Sequence, residues 1–342
     1  MKKLNWGIIG LGAIAHKFSE AFARTTNATL LACASNNSQK LESFKKQFFI
    51  EDKFAFKNYE DLINCKEVDI VYIALPNSLH FYWIKECIKN NKNTLVEKPA
   101  TLNYVEAKSV KKILNNKNIF FGEAFMYRYH PQIDFIIELI KNNIVGNLIS
   151  MESSFGENIL TKKKFIFFEK KKKIKENDRR FNKKLGGGCI LDLGCYPTSF
   201  SLLINSLINK TDISHFKLSN ILKNVGETGV DIHSSADLLF KNGFKSKVEA
   251  SFQKNIGHKS TIKGNIGEII INNTWNGNNK VIVKKKGNNE FKNFDNSKPL
   301  YSYQIEKISE NILNGNKKVK YPGMNFDETL LNMKIIDEWV NA

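Results

Sequence analysis

Two short stretches hold residue types that could do chemistry. The first, GIIGLGAIA from Gly7, spaces Gly10, Gly12 and Ala15 as G-x-G-x-x-(G/A). In that pattern the first glycine makes a tight turn and the second lets a pyrophosphate reach the start of the next helix. The third, small residue lets helix and strand pack closely. Ala13 and Ile14, inside the pattern, complete the expected cofactor-contacting turn. The second stretch, GGGCILDLGCYPTS from Gly186, sets three glycines ahead of Asp192 and Tyr196. Such a run is costly to order, because glycine loses the most freedom on folding. It reads either as a flexible turn or as a loop that admits a cofactor or substrate, with two polar side chains aimed at it.

The fingerprint needs a strand before it and a helix after it. Leu4 to Ile9 is a short apolar run, and Ile14, Phe18, Ala21 and Phe22 then recur on one helical face. The alternation continues through the strands ATLLACAS and VDIVYIALP, the helix LHFYWIKECIKNN, the strand NTLVEKP, the helix YVEAKSVKKILNN and the strand NIFFGEAF. Strands separated by helices predict a doubly wound parallel sheet, with the ligand crevice at the strands' carboxyl ends. Leu75, Pro76, Asn77, His80, Glu97 and Lys98 fall at such ends. An NAD enzyme usually places an acid after the second strand to bond the ribose 2′-hydroxyl. Here Ser35, Asn36 and Asn37 stand there, with Lys40 nearby and no acid. The pattern favours NADP over NAD, with Lys40 beside the 2′-phosphate.

Composition bounds the rest. A chain of 342 residues with 42% hydrophobic residues fits two domains with real cores. Five cysteines without a C-x-x-C pair suit a reducing cytosol and argue against a disulfide framework or structural zinc. The net charge of +18 invites a nucleic-acid partner, but only Arg24, Arg128, Arg179 and Arg180 are arginine. Arginine is the usual choice for bidentate phosphate contacts, so no nucleic-acid partner is expected. The densest basic run, TKKKFIFFEKKKKIKENDRR from Thr161, reads as a solvated loop or helix face rather than a binding strip. MKKLNWGIIGLGAIA has the look of a secretory signal, but the same residues serve better as the glycine fingerprint. No stretch is expected to be long and apolar enough for a membrane helix. The expectation is therefore a cytoplasmic protein without a membrane partner.

Three segments now stand in order: GIIGLGAIA, then IALPNSLHFYWIKECIKNNKNTLVEKPA, then EAFMYRYHPQ running on to LGGGCILDLGCYP. Together they resemble the glucose–fructose oxidoreductase / inositol dehydrogenase (Gfo/Idh/MocA) family, and within it the branch with Tyr where many members have His. That branch includes dihydrodiol and xylose dehydrogenases. The resemblance implies an α/β chain: a Rossmann domain over residues 1–122, then an α+β domain with an open, mostly antiparallel sheet over 123–342. The last helix is allowed to pack back on the first domain. The strand-like segments NLISMESSFGEN, SSADLLFKNG, SKVEASFQ, EIIINN and KVIVKKKG agree with the second domain.

By the same resemblance the catalytic pair is Lys98 and Tyr196, with Asp192 alongside to orient substrate. A phenol of ordinary pKa, about 10, is a poor base near neutrality, and a nearby ammonium favours the phenolate. The pair therefore makes more sense than either residue alone. Asp192 could instead cap a helix or pair with a lysine, and Tyr196 could be a core aromatic. Gly186 to Gly188 would bring the second domain's backbone close to the nicotinamide and substrate, which makes Gly187 a substrate contact. Arg128 and His130 lie where the domains join, either lining the substrate pocket or bonding across the junction. His80 packs or bonds locally, and Cys189 and Cys195 are small fillers. The implied activity is metal-free, reversible hydride transfer between NADP (or NAD) and a hydroxyl carbon of a sugar or cyclic diol, in a homodimer or homotetramer. The alternative is a non-catalytic dinucleotide-binding regulator of the same fold.

Overall fold

The expected alternation forms in the first part of the chain. The computed structural model describes every residue except 1, 166, 167, 173, 175–177, 209–214, 278, 279, 286 and 296. Strands β1 (Leu4–Ile9), β2 (Ala28–Ala34), β3 (Ala55–Phe56), β4 (Ile70–Ile73), β5 (Asn93–Val96) and β6 (Phe121–Glu123) alternate with helices α1 (Ala13–Glu20), α2 (Ser38–Phe48), α3 (Tyr59–Asn64), α4 (Asn77–Lys89) and α5 (Tyr104–Leu114). The strands make one parallel sheet in the order β3-β2-β1-β4-β5-β6. There follow α6 (Pro131–Lys141), β7 (Leu148–Gly156), β8 (Thr161–Phe165), β9 (Phe168–Lys171), α7 (Cys195–Asn205), β10 (Phe216–Val225), β11 (Asp231–Phe240) and β12 (Lys245–Ser251). The chain then runs through β13 (Ser260–Gly264), β14 (Gly267–Ile271), β15 (Val281–Lys285), β16 (Asn288–Lys292), α8 (Leu300–Leu313) and α9 (Phe326–Asn341).

By contacts the chain divides into two units, residues 1–130 with 297–330 and residues 131–296 with 331–342. The division falls after His130 rather than after residue 122, because the turn Met126–Tyr129 is bonded into the first unit. Arg128 donates to Glu328 Oε1 at 3.1 Å and to Pro322 O at 3.3 Å. Helix α8, expected with the second domain, also belongs to the first unit. Trp6 Nε1 donates to Ser309 Oγ, and Ser302 Oγ donates to Ala21 O, both at 2.9 Å.

In the first unit both faces of the sheet are covered. Trp6, Ile8, Ile70 and Tyr72 point into one buried cluster with Phe18 and Ile305. Ile9, Val71 and Ile73 point into the other with Trp83 and Ile84. This is the alternation of a strand whose two faces are both buried, so its sequence is continuously apolar.

The second unit carries an eight-stranded sheet in the order β10-β11-β12-β7-β13-β14-β15-β16. Only the β12–β7 pair is parallel, and the other pairs run antiparallel. Every residue of α7 is buried. This corrects one expectation: the stretch Lys183–Asn205, with mean hydropathy 1.2, is long and apolar enough to cross a membrane, but 94% of that window is buried within the protein. A helix apolar all round is what a core position demands. The basic run from Thr161 lies partly outside the described residues.

The glycine run also receives a different explanation. Gly186 closes a turn at φ +78°. A Cβ on Gly187 would sit 2.8 Å from both Arg180 O and Asn182 N. Gly188, at φ +115°, leaves no room for a Cβ beside the Asp231 carboxylate, whose Oδ1 accepts from Ile190 N at 2.7 Å. Its own unit needs the run bare, because its own backbone and Asp231 fill the space a side chain would take. Gly188→Ala should destabilise the chain by roughly 2 kcal/mol or more, through a strained left-handed residue and a displaced Asp231. Chemical denaturation checks this, and an unchanged midpoint would show that Asp231 moves aside freely.

Candidate functional site

The strand order reverses between β1 and β4, and at their carboxyl ends the first unit opens a cleft of about 430 Å³. The turn Gly10–Leu11–Gly12 forms one wall and Ala74–Leu75–Pro76 the other, while Ser35, Asn36, Asn37, Lys40 and Tyr59 line its far end. This is where a doubly wound sheet binds its ligand.

The helix starts explain what the cleft accepts. Helices α2, α3 and α5 begin on Asn37, Asn58 and Asn103, whose side chains accept from Lys40 N, Asp61 N and Glu106 N. Asparagine is a favoured residue there because it satisfies an orphan amide of the first turn. Helices α1 and α4 begin on Gly12 and Pro76, which provide no side-chain cap, and both open at the cleft. A bound anion can take the capping role, aided by the helix dipole.

The two glycines of the fingerprint do different jobs. Gly10 has φ +87°, and a Cβ there would lie 2.7 Å from Ala74 O. The chain itself requires that glycine. A Cβ on Gly12 would meet nothing within 4 Å. Folding does not need Gly12 to be bare, so the open space beside it suits the close approach of a phosphate. Ala15 is fully buried, as the third position should be. The residues therefore fit a dinucleotide.

At the ribose end every polar group is a donor or a neutral acceptor. Ser35 Oγ accepts from Asn37 N at 3.1 Å, which leaves its hydroxyl hydrogen able to turn. Burial pushes the Tyr59 phenol above its ordinary range, against a hydrogen bond from the Asn36 backbone. It stays a neutral hydroxyl. Lys40 is exposed at the rim, and among the described residues no carboxylate pairs with its ammonium. The lining contains no acid, as the sequence predicts.

Lys98 follows β5 on a turn held from behind. Glu97 Oε2 accepts from Lys98 N at 3.2 Å, and Glu97 Oε1 accepts from the Tyr72 hydroxyl. His80 is fully buried, with Nδ1 2.9 Å from Pro99 O and Nε2 2.8 Å from Leu75 O. Both ring nitrogens are thus engaged by backbone, and the ring bridges the turn after β4 to the turn after β5. His80 and Glu97 shape these turns rather than line the cleft. Asn77 is buried in the first turn of α4, and Ala13 and Ile14 lie in α1 outside the lining.

In the second unit Tyr196 and Asp192 lie on one helical run. It is widened to a π-turn over Ile190–Gly194 before α7 begins. Pro197 does not break it. The carbonyl that a proline ring would meet belongs to Leu193, inside the widened turn. Tyr196 is 5% exposed and packs edge-on to Phe155 at 5.1 Å. Asp192 Oδ1 accepts from Arg179 at 3.4 Å.

Arg128 is wholly buried, and its side chain pairs with Glu328 of the same unit. His130 is likewise buried, with its ring edge-on to Tyr303 of the same unit. Tyr59, Leu11 and Ala74 line the cleft without having been singled out in the sequence. Tyr59 follows the cap Asn58 directly, but β3 before it has only two residues and gives no pattern that would announce a strand end. Among the described residues no group of three or more His, Cys, Asp or Glu could hold a metal ion.

Comparison with known proteins bears on these features. Residues 4–125 match an oxidoreductase family's NAD-binding Rossmann fold, GFO_IDH_MocA, and residues 134–270 match the GFO/IDH/MocA C-terminal domain. The chain is 25% identical over 342 residues to a trans-1,2-dihydrobenzene-1,2-diol dehydrogenase of Xenopus tropicalis, covering 97% of this chain and 96% of that one. An aldose-aldose oxidoreductase of Caulobacter crescentus, solved with glycerol, superposes with TM-score 0.84 at 20% identity, over 100% of this chain and 97% of that one. A 3-ketoreductase of Actinomadura kijaniata, solved with NADP and TDP-benzene, superposes with TM-score 0.79 at 20% identity, over 98% and 96%.

The glycine geometry makes a paired prediction. Gly12→Ala should melt near wild type yet bind NADPH about tenfold more weakly, or about 1.4 kcal/mol. Gly10→Ala should lose stability first, because alanine is strained at positive φ. Thermal melts beside fluorescence titrations separate the two, and equal effects of both changes would refute the distinction.

Proposed function

The chain belongs to the Gfo/Idh/MocA family of oxidoreductases, and from that premise we propose that it transfers hydride between NADP and a hydroxyl-bearing carbon of a sugar or cyclic diol. The observation that carries the cofactor choice is the acid-free far end of the cleft, where Ser35, Asn36, Asn37, Lys40 and Tyr59 stand. An acid there would repel a 2′-phosphate, whereas hydroxyls and an ammonium welcome it. The complex of the 3-ketoreductase with NADP supports this reading. The diol and aldose named for the other relatives support the substrate class.

The cofactor, when bound, supplies the hydride chemistry. The protein must hold the reacting carbon and manage one proton on its oxygen. In this reading Tyr196 exchanges that proton. Lys98 donates a hydrogen bond to the substrate oxygen and favours the phenolate of Tyr196. Asp192 orients a neighbouring hydroxyl. The D-x-G-x-Y spacing around Asp192 and Tyr196 and the E-K-P turn around Lys98 support these roles. Behind Lys98, the bonds from Glu97 and His80 fix the turn before any ligand arrives, which lowers the ordering cost of binding.

Titration with NADPH and NADH comes first. NADPH should bind at least tenfold more tightly, and Lys40→Ala should narrow that gap toward NADH, since a phosphate contact is worth on the order of 1 kcal/mol or more. With NADP as acceptor, D-xylose and trans-1,2-dihydrobenzene-1,2-diol are the substrates to assay. On an active substrate Lys98→Ala and Tyr196→Phe should each cut turnover about 100-fold or more while leaving NADPH affinity within a few-fold. If Tyr196→Phe turns over like wild type, the proton passes through another group.

A further inference from the structure

Behind the Lys98 turn lies an acid that the proposed chemistry does not use. Glu123 ends β6 and is fully enclosed. Its Oε1 accepts from Ala100 N at 2.9 Å, and its Oε2 accepts from Thr329 Oγ1 at 2.8 Å. Ala100 is two residues past Lys98. The turn is thus gripped at Lys98 N by Glu97, at Pro99 O by His80 and at Ala100 N by Glu123. All of these residues belong to the first unit.

We propose that Glu123 is a positioning residue for Lys98: its carboxyl clamps the backbone after the lysine, and its proton couples dinucleotide binding to pH. The proposal rests on the reading of Lys98 and the cleft given above. The chemistry of the clamp allows both protonation states. As a carboxylate, Glu123 accepts from Ala100 N–H and from the Thr329 hydroxyl. As an acid, it still accepts from Ala100 N–H and donates to Thr329 Oγ1, because a hydroxyl can reverse its role. The bonds survive titration and only the charge changes.

Several groups set that charge. Thr329 on α9, the Ala100 amide and the Arg128 guanidinium favour the carboxylate, while Glu97 at the end of β5 opposes it. Arg128 is itself engaged by Glu328, and Glu97 by Tyr72, so neither acts on Glu123 alone. His80 and Lys98 are the other ionisable groups of the turn. Burial outweighs the favourable partners and pushes Glu123 up to about 7. Below that pH the wall behind Lys98 is neutral at Glu123, and above it carries a negative charge. An anionic dinucleotide binds the neutral wall better, so affinity falls as pH rises through the neutral range.

The test compares wild type with Glu123→Gln, Thr329→Val and Glu123→Ala, each first shown to be folded by its thermal melt. NADPH affinity is measured by fluorescence from pH 5.5 to 8.5, with NADH as the control that lacks the titrating 2′-phosphate. Glutamine keeps both hydrogen bonds and removes the charge. Wild type should lose about threefold or more in affinity for both cofactors across neutrality, and Glu123→Gln should not show that step. In Thr329→Val the step should move to higher pH, since a bond favouring the carboxylate is gone. Amide exchange reads the clamp itself: Ala100 should exchange about tenfold faster in Glu123→Ala and at the wild-type rate in Glu123→Gln. Identical pH profiles for wild type and Glu123→Gln overturn the coupling, and unchanged Ala100 exchange in Glu123→Ala overturns the clamp. If NADPH binds wild type at no pH, the cleft reading falls and the coupling with it, while Ala100 exchange still decides the clamp.

Discussion

An amide at the start of a helix must find an acceptor, and the first unit depends on where that need is left for a ligand to meet. Asn37, Asn58 and Asn103 cap their helices with their own side chains. Gly12 and Pro76 provide none, and theirs are the helices that open on either side of the strand-order reversal. A capping side chain at either position would compete with a bound anion for the same amides. The parallel sheet brings those two helix starts together because β1 and β4 are neighbours.

Rigidity in the turn after β5 comes from buried polar groups rather than from apolar packing. The turn carrying Lys98 is gripped by two carboxyls and an imidazole, all nine-tenths or more buried. Burying such groups is expensive unless each is bonded. Here Glu97 and Glu123 each accept two hydrogen bonds, and both His80 nitrogens lie against carbonyl oxygens. The arrangement fixes the backbone that carries one lysine, which a loop held by apolar contacts alone would not do.

The sequence made the dinucleotide end legible because its chemistry is local. Gly10, Gly12, Ser35, Asn36, Lys40, Leu75 and Pro76, all legible in the sequence, line one cleft. Tyr59 was hidden by a strand of two residues, and α8 by a separation of nearly the whole chain from its partner Trp6. The glycine run was ambiguous for a related reason. From sequence, a glycine needed by a ligand and a glycine needed by a distant segment look alike. Gly12 faces open space and Gly188 faces Asp231, and only the fold shows which is which. The partner of Arg128 was hidden in the same way, because Glu328 lies far from it in sequence.

The use of arginine sharpens the point about charge. In a chain with 52 lysines and arginines, Arg128, Arg179 and Arg180 each pair with a carboxylate, Glu328, Asp192 and Asp178 in turn. Arg180 grips Asp178 with two nitrogens, at 2.9 and 2.6 Å. Guanidinium is the group whose planar fork suits a fixed partner, and it is placed where geometry must be held. The cation at the rim of the cleft is instead Lys40, a flexible point charge. A lysine can follow a phosphate without fixing its direction, so in the proposed reading the orientation of a dinucleotide comes from the helix starts and from Gly12. In the proposed reading the cleft divides its labour: backbone sets the pose, and Lys40 supplies charge.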